Sequence, residues 1–209
     1  MLTIVDYGVG NLASIKNMLK KIGADAQISS DPSVISAAEK LILPGVGAFD
    51  TCAQKLQESG LTGLLNQKAL VEKIPVLGIC VGMQLLMSGS EEGILPGLGW
   101  INGKIIRFRQ DQLPSELKIP HMGWNTLNVS REHKLLESLP LGPQGLHAYF
   151  VHSFHFVPNE RSSIVAETDY GGPVTAFIAK DNMAGTQFHP EKSQTLGLKL
   201  IANFLKWAP

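Results

Sequence analysis

One cysteine of this sequence, Cys80, has the surroundings of a nucleophile. It is flanked by Gly78 and Gly82, and it stands between an apolar run at 74–79 and a helical pattern at 83–87. A nucleophile between small residues, where a strand runs into a helix, is the cysteine counterpart of the strained elbow that raises a nucleophile above a sheet. We expect the glycines to let the backbone turn sharply and leave room for substrate, and the free amides of the helix to favour the thiolate.

The competing interpretation is a buried structural cysteine, because free cysteine is among the most buried residue types. Cys52, the other cysteine, lies within the helical pattern after Phe49 and has no glycine beside it. The pattern predicts a packing function for Cys52.

A base and a group to orient it follow about a hundred residues later. His189 ends an apolar strand, Pro190 stiffens the turn, and Glu191 comes two residues after the histidine. The carboxylate of Glu191 can reach one imidazole nitrogen and set the tautomer, which leaves the other nitrogen for a thiol. The combination predicts a Cys80, His189 and Glu191 triad for nucleophilic catalysis.

Composition predicts one compact domain over residues 1–209 and excludes several classes of partner. Basic and acidic residues balance at 18 each, so no long-range field favours nucleic acid or an anionic membrane. No window holds the roughly 20 consecutive apolar residues of a membrane span, and the first residues lack the pattern of a secretory signal. Two cysteines in a chain of 209 residues favour free thiols in the cytoplasm.

The order of elements that must position these residues predicts an α/β fold. Short apolar runs at 2–6, 26–29, 40–43 and 74–79 alternate with helical patterns at 12–22, after Asp31-Pro32 and at about 49–71. This alternation is typical of a mostly parallel sheet covered on both faces. From residue 100 the segments are extended, at 100–108, 119–129, 147–156, 164–170, 174–180 and 183–188, so this half adds β-rich segments to the sheet. A last amphipathic helix holds Leu196, Leu200, Ile201, Phe204 and Leu205 on one face.

These motifs together resemble the class I (triad) glutamine amidotransferases. The resemblance is carried by Pro44-Gly45-Val46-Gly47, by residues 78–84 and by His189-Pro190-Glu191. Within the class, the sequence is similar to the glutaminase subunits of imidazole glycerol phosphate synthases at 5–11, 44–49, 121–125, 149–153 and 187–193, which span nearly the whole chain. Val81 stands where a leucine is common, and Phe154 where a tyrosine is common.

The resemblance implies a flavodoxin-like, doubly wound fold and a heterodimer with a (β/α)8-barrel cyclase subunit. Glutamine would be hydrolysed to glutamate and ammonia through a γ-glutamyl thioester, and the ammonia would serve imidazole glycerol phosphate synthesis in histidine biosynthesis. No cofactor is implied. Neither the cysteines nor the histidines have the spacing of metal ligands, and Gly8-Val9-Gly10 lacks the third glycine of a phosphate-binding motif.

Further site residues are predicted around the triad. Oxyanion donors would be the backbone N–H of Val81 and the turn formed by Gly45, Val46 and Gly47, for which an ordinary strand-end loop is the alternative. Substrate contacts would come from Gln84, one helical turn after Cys80, and from Ser153, although a glutamine at a helix start can be structural and a hydroxyl at a strand end often bonds only to backbone.

Four residues lie in motifs that the resemblance places toward the cyclase: Asn11, Trp124, Tyr149 and Lys192. An exposed tryptophan would be a suitable interface anchor. The alternative for Trp124 and Tyr149 is that both are core aromatics.

Three competing functions remain open. The same triad serves other acceptors in anthranilate, aminodeoxychorismate and pyridoxal-phosphate synthases, against which the run at 121–125 and Lys192 argue. A scaffold of the same fold would lack a triad member, and none is missing. A cysteine peptidase or γ-glutamyl hydrolase would act without a partner.

Overall fold

Twelve strands and six α-helices make up the computed structural model, which describes residues 1–209. The strands are β1 (Leu2–Val5), β2 (Ala26–Ser29), β3 (Lys40–Gly45), β4 (Val76–Cys80), β5 (Gly103–Arg107), β6 (His121–Asn125), β7 (Asn128–Val129), β8 (Ala148–His152), β9 (Phe154–Pro158), β10 (Ile164–Asp169), β11 (Pro173–Lys180) and β12 (Met183–Thr186). The helices are α1 (Leu12–Lys21), α2 (Pro32–Ser36), α3 (Phe49–Glu58), α4 (Thr62–Asn66), α5 (Val81–Gln84) and α6 (Gln194–Lys206).

Eight of the strands form one sheet in the order β2-β1-β3-β4-β12-β11-β10-β7. The first five of these run parallel to their neighbours, whereas β11, β10 and β7 are added by antiparallel pairing. Two antiparallel pairs, β5 with β9 and β6 with β8, lie outside this sheet. The predicted α/β fold with a mostly parallel sheet and a β-rich C-terminal half is therefore confirmed.

Apolar burial on both faces of the sheet explains why its strands read as continuous hydrophobic runs. Every residue of β1 and β4 is buried. On α6, the face predicted from the spacing packs into the core, with Leu196, Leu200 and Phe204 fully buried. Burying one such side chain stabilises the fold by about 1.5–3 kcal/mol.

Two helical predictions differ from the structure. The pattern at 49–71 is not one helix but α3, α4 and a π-helical turn at Gln67–Val71, separated by a turn in which Gly60 has a φ of +71°. The helix after Cys80 is the single turn α5, not a run to Met87. After Gln84 the hydrogen bonds span only three residues, from Leu86 to Met83 and from Met87 to Gln84. The carbonyls of Leu85 and Leu86 then accept from Leu98 and Trp100 at 2.7 Å, so the helix cannot resume beyond this turn.

The parallel strands deliver their carboxyl ends to one edge of the sheet. Segment 6–11 follows β1, segment 46–48 follows β3, Cys80 ends β4, and segment 187–193 follows β12. This edge is where open α/β sheets bind their ligands. None of the helices combines the length and apolar character needed to cross a bilayer.

Candidate active site

Cys80 lies at a strained turn between β4 and α5. Its φ is +54° and its ψ is −113°, a conformation that non-glycine residues rarely adopt. The thiol is 4% exposed and lies at the floor of a pocket. The predicted elbow is thus present, and the strain falls on the nucleophile itself.

The glycines beside Cys80 serve a different purpose from the one expected. Neither has a positive φ, so they do not make the turn. A Cβ on Gly82 would lie 1.9 Å from the carbonyl oxygen of Leu43, and a Cβ on Gly78 would lie 2.7 Å from the Cα of Met83. Both glycines therefore allow α5 to pack directly on the sheet backbone. Because α5 has one turn only, its dipole contributes less to the thiolate than a long helix would.

His189 is held by Glu191 on one side and faces Cys80 on the other. The His189 Nδ1 lies 2.8 Å from the Glu191 Oε1, and both side chains are buried. The backbone N–H of His189 donates to the carbonyl of Tyr149 at 2.9 Å, and the Ser193 hydroxyl donates to the carbonyl of His189 at 2.6 Å. These bonds fix the ring in the plane that lets one nitrogen meet a carboxylate and the other a sulfur.

The charge state of His189 follows from these contacts. Burial alone lowers the pKa of His189, but hydrogen bonds to Cys80 and Glu191 and the attraction of their negative charges outweigh it and raise the pKa to about 10. Since the Glu191 carboxylate accepts the Nδ1 proton, Nε2 is left for the pocket that Cys80 also lines. The raised pKa favours the imidazolium form of His189.

Two glutamine side chains line up beside the sulfur. The Gln187 Nε2 lies 3.9 Å from the Cys80 Sγ, and the Gln187 Oε1 accepts from the Gln84 Nε2 at 3.1 Å. The Gln84 Oε1 is buried and has no partner in the chain. The sequence patterns predict Gln84 as a site residue but not Gln187. The signal for Gln187 is its spacing of two residues from His189, which places Gln187 and His189 on one face of an extended segment.

The pocket above Cys80 has a volume of about 320 Å³. Its walls include Gln84, Glu92, Ser153 and His189. The Ser153 hydroxyl makes no hydrogen bond within the chain, so the alternative of a purely local backbone bond does not hold. Two larger surface cavities, of about 490 and 790 Å³, contain neither Cys80 nor His189. The chemistry-bearing side chains thus converge in the smaller pocket.

Glu92 is a pocket residue that the sequence patterns did not reveal. Its Oε2 accepts from the backbone N–H of Phe49 at 2.9 Å, which ties the loop after α5 to the first turn of α3. The same carboxylate-bearing side chain lines the pocket. No periodicity marks it, because its position depends on a contact across 43 residues.

Three of the four residues predicted as oxyanion donors line the pocket: Val46, Gly47 and Val81. The backbone N–H groups of Val46 and Gly47 donate no hydrogen bond within the chain. Gly45 does not line the pocket, because it packs against α5, where a Cβ would lie 2.5 Å from the backbone nitrogen of Gly82. Its contribution to the turn is this close approach.

A histidine pair, of which His152 lines the pocket, forms a hydrogen-bonded chain with a single direction. The His152 Nδ1 lies 2.8 Å from the carbonyl of Phe154, which can only accept, so His152 carries its proton there. The His152 Nε2 then accepts from the Nδ1 of His121 at 3.0 Å, and the His121 Nε2 accepts from Asn125 at 3.3 Å. Burial lowers the pKa of His121 to about 4 and that of His152 to about 3, so both are neutral. The Phe154 carbonyl also faces the Gln84 Nε2, at 3.4 Å.

The sequence is similar to known proteins over nearly its whole length. Residues 3–207 match the family described as glutamine amidotransferase class-I. The chain belongs to this family. It is 50% identical over 208 residues to the imidazole glycerol phosphate synthase subunit HisH 2 of Methanococcus maripaludis, covering 100% of both chains. It is 49% identical to the HisH subunit of Rhodopseudomonas palustris, covering 99% and 98%.

Several solved structures share the fold. A structure described as a glutamine amidotransferase has a TM-score of 0.72 at 21% identity and covers 98% of this chain and 97% of its own. The structure of PurLQS from Thermotoga maritima has a TM-score of 0.67 at 19% identity, covering 98% and 97%. These likenesses agree with the flavodoxin-like fold that the resemblance implied.

Of the residues predicted to face a partner, Lys192 lines the pocket, and Trp124 and Tyr149 lie close to it in space through contacts with each other and with Lys192. Trp124 on β6 pairs with Tyr149 on β8, with ring centroids 5.4 Å apart in an edge arrangement. Trp124 is 49% exposed, so the alternative of a core tryptophan is wrong. The Lys192 Nζ lies 5.5 Å from the centroid of the Tyr149 ring, and Asn11 precedes α1 at the same edge of the sheet.

Proposed function

We propose that this chain is the glutaminase subunit of an imidazole glycerol phosphate synthase. One observation carries the proposal: Cys80, on its strained elbow, and the His189 imidazole, which Glu191 holds at 2.8 Å, line the same pocket. The full-length relatives at 50% and 49% identity bear the name of this subunit. The substrate is glutamine, and the products are glutamate and ammonia.

In the first step, the Cys80 thiolate attacks the side-chain carbonyl carbon of glutamine. The carbonyl oxygen takes the negative charge of the tetrahedral intermediate, and the imidazolium of His189 donates its proton to the departing nitrogen. The C–N bond breaks, ammonia leaves, and a γ-glutamyl thioester remains on Cys80. Glu191 stabilises the imidazolium and fixes its tautomer throughout.

In the second step, water hydrolyses the thioester. His189, now neutral, takes a proton from the water as the oxygen attacks, and the restored thiolate leaves as glutamate forms. Both tetrahedral intermediates place an oxyanion near the N–H groups of Val46, Gly47 and Val81. In other enzymes each such donor lowers the barrier by about 3 kcal/mol.

Substrate selection rests on polar groups that the pocket leaves unpaired. The free Oε1 of Gln84 can accept from an N–H of bound glutamine, and leaving such a buried acceptor unpaired costs about 1–3 kcal/mol. The carboxylate of Glu92 suits the α-ammonium group, and the Ser153 hydroxyl can contact the amino-acid end. The γ-carboxylate of glutamate offers no N–H to the Gln84 Oε1, so bound glutamate would leave this acceptor unpaired. Gln84 is therefore the main determinant of amide specificity.

The partner is a (β/α)8-barrel cyclase subunit, in a heterodimer. Free ammonia is mostly protonated in neutral water and is then no nucleophile, so it must pass to the acceptor through a sheltered interface. Trp124, Tyr149, Lys192 and Asn11 form the contact surface, and the half-exposed Trp124 is the anchor. The free thiols of Cys80 and Cys52 suit the reducing cytoplasm.

The proposal is tested by glutamate release with and without the cyclase subunit. The chain alone should hydrolyse glutamine weakly and the complex strongly. A Cys80→Ala variant in the complex should release no glutamate, yet should still support cyclisation when ammonium salt replaces glutamine. Glutamate release by Cys80→Ala at the wild-type rate would disprove the triad, and failure of the wild-type complex to use glutamine would disprove the function.

The alternatives from the sequence are weakened by the structure and the relatives. A scaffold would not need a strained nucleophile or a buried histidine and carboxylate pair beside it. A glutaminase for anthranilate or pyridoxal phosphate synthesis would be expected to resemble those families over its full length more than the HisH subunits.

A further inference from the structure

Two side chains outside the pocket hold the backbone of the turn at 44–47. The Tyr7 hydroxyl donates to the carbonyl oxygen of Pro44, and the Cys52 thiol donates to the carbonyl oxygen of Val46 at 3.3 Å. Tyr7 follows β1 and is 4% exposed, whereas Cys52 lies on α3 and is fully buried. Neither lines the pocket that contains Cys80. They reach the turn from behind.

The two held carbonyls belong to the peptide units on either side of the Gly45–Val46 peptide. Because each peptide unit is planar and rigid, fixing both neighbours leaves rotation of this middle peptide as the main freedom of the turn. Its N–H is that of Val46, which donates no hydrogen bond within the chain and belongs to a residue at the pocket wall. The held carbonyls therefore confine the Val46 N–H to rotation about a single axis.

Both side chains remain hydrogen-bond donors at neutral pH. Burial raises the pKa of the Cys52 thiol to about 11, and burial also raises the pKa of the Tyr7 hydroxyl well above its usual value. The thiol of Cys52 is therefore a donor in this contact and not a nucleophile, which goes beyond the packing function predicted for it.

We infer that Tyr7 and Cys52 are positioning residues, which hold the Pro44 and Val46 carbonyls so that the Val46 N–H is directed at the oxyanion formed on Cys80-bound substrate. The inference rests on the proposed glutaminase function. An interaction of this kind acts on the tetrahedral intermediates and hardly at all on bound glutamine. Its loss should therefore lower kcat and leave KM nearly unchanged.

The test compares Tyr7→Phe, Cys52→Ala and Cys52→Ser in the complex with the cyclase subunit. Tyr7→Phe and Cys52→Ala should lower kcat for glutamine about three- to ten-fold, the effect of losing one buried hydrogen bond, with KM within about two-fold of wild type. Cys52→Ser keeps a donor and should retain most of kcat. Leu56→Ala, a buried truncation on the same helix α3 away from the turn, should lower the thermal unfolding midpoint and leave kcat unchanged.

A second measurement separates the turn from the nucleophile. Iodoacetamide alkylates a thiolate by displacement of iodide and forms no oxyanion. Cys80 should therefore react at the wild-type rate in Tyr7→Phe and Cys52→Ala, because only steps with an oxyanion depend on the turn. The buried Cys52 is distinguished by mass spectrometry of the labelled peptide.

The outcomes divide cleanly. Wild-type kcat in both Tyr7→Phe and Cys52→Ala, with or without lower stability, would overturn the inference, and so would slow alkylation of Cys80 in the same variants. If Cys52→Ala does not fold, the contrast between Tyr7→Phe and Cys52→Ser decides, since the first should lose kcat and the second should keep it. A wild-type complex that hydrolyses no glutamine would instead disprove the proposed function.

Discussion

The side-chain nitrogen of Gln84 lies 3.1 Å from the side-chain oxygen of Gln187, and this one bond orients both amides beside Cys80. With its oxygen engaged, Gln187 must turn its nitrogen to the sulfur, and with its nitrogen engaged, Gln84 must keep its oxygen free. One contact thus presents a donor to the nucleophile and an acceptor to the substrate.

Gln187→Glu should slow the reaction of Cys80. A carboxylate 3.9 Å or so from the sulfur would oppose the thiolate, where the amide nitrogen now supports it. We expect the pH profile of iodoacetamide labelling to move to higher pH and kcat to fall about ten-fold or more. Gln187→Met, which is neutral and of similar size, is the control and should move the profile less. Identical profiles for the two variants would contradict a charge effect.

Glu191→Gln should keep the fold but remove most of the activity. The amide can still bond to His189, but it supplies no charge to stabilise the imidazolium and it permits the wrong tautomer. We expect kcat to fall by at least about two orders of magnitude while KM for glutamine changes little. The pKa of His189, followed by NMR, should fall in the same variant. A variant with full activity would remove Glu191 from the triad.

Acid should destabilise the chain through its buried histidines. His121 and His152 have folded pKa values of about 4 and about 3, below the usual 6.5, so the unfolded chain binds more protons as the pH falls. Their contribution to stability is complete above pH 6.5 and is lost toward pH 4 and 3. His133 and His155, whose pKa values burial also lowers, act in the same sense. The raised pKa of His189 acts oppositely: its contribution is complete below pH 6.5 and is lost progressively as the pH rises toward 10, so it offsets part of the loss between pH 7.5 and 6.5.

Urea unfolding at about pH 7.5 and about pH 5 measures this effect. We expect the free energy of unfolding to fall by roughly 2 kcal/mol or more between the two. His152→Gln exchanges the titrating ring for an amide that still donates and accepts, so its loss over the same interval should be smaller. An equal loss in the variant would show that the stability lost in acid comes from other groups.

Gly82→Ala should destabilise the chain. Its Cβ would lie 1.9 Å from the carbonyl oxygen of Leu43, so either α5 or β3 must move, at a cost of about 1–3 kcal/mol or more. Gly63→Ala in α4 is the matched control, because nothing lies within 4 Å of its Cβ and alanine favours a helix by about 0.5–1 kcal/mol. Chemical unfolding should give opposite signs for the two. Equal effects would refute close packing at Gly82.

Trp124→Ala should weaken binding of the cyclase subunit without unfolding the chain. The ring is 49% exposed and packs against Tyr149 on one side only, so much of its surface is free for a partner. A loss of about 2 kcal/mol in binding, or some thirty-fold in Kd, is typical of such an anchor. Val157→Ala, at a 42% exposed position on β9, is the control and should bind as wild type. Calorimetric titration of the cyclase measures both.

The alternation of short apolar runs and helical patterns predicted most of the fold, because both signals are local. It also placed Cys80 and His189, since residues at carboxyl ends of parallel strands meet at one edge. What it missed depends on contacts between distant segments. Leu98 and Trp100 bond to the carbonyls of the turn that follows α5, and Glu92 enters the pocket by a bond to Phe49.

The donor function of Cys52 was missed for a similar reason. Its place in a helical pattern correctly predicted burial, but the pattern contains no information on which backbone atom the sulfur meets. The same holds for Tyr7, whose hydroxyl bonds to Pro44 across 37 residues. Flanking glycines predict a sharp turn at Cys80, whereas Gly78 and Gly82 instead let the backbone of α5 pack directly on the backbone of the sheet.

The place of β12 in the sheet determines when this site can exist during synthesis. β12 lies between β4 and β11 and pairs in parallel with β4, with Thr186 opposite Ile79, although about a hundred residues separate the two strands. A ribosome-bound chain that has folded its first four strands therefore displays the thiol without the imidazole. Such an intermediate is expected not to consume glutamine, because β12, which brings the base, follows the other eleven strands in the sequence and must insert between β4 and β11.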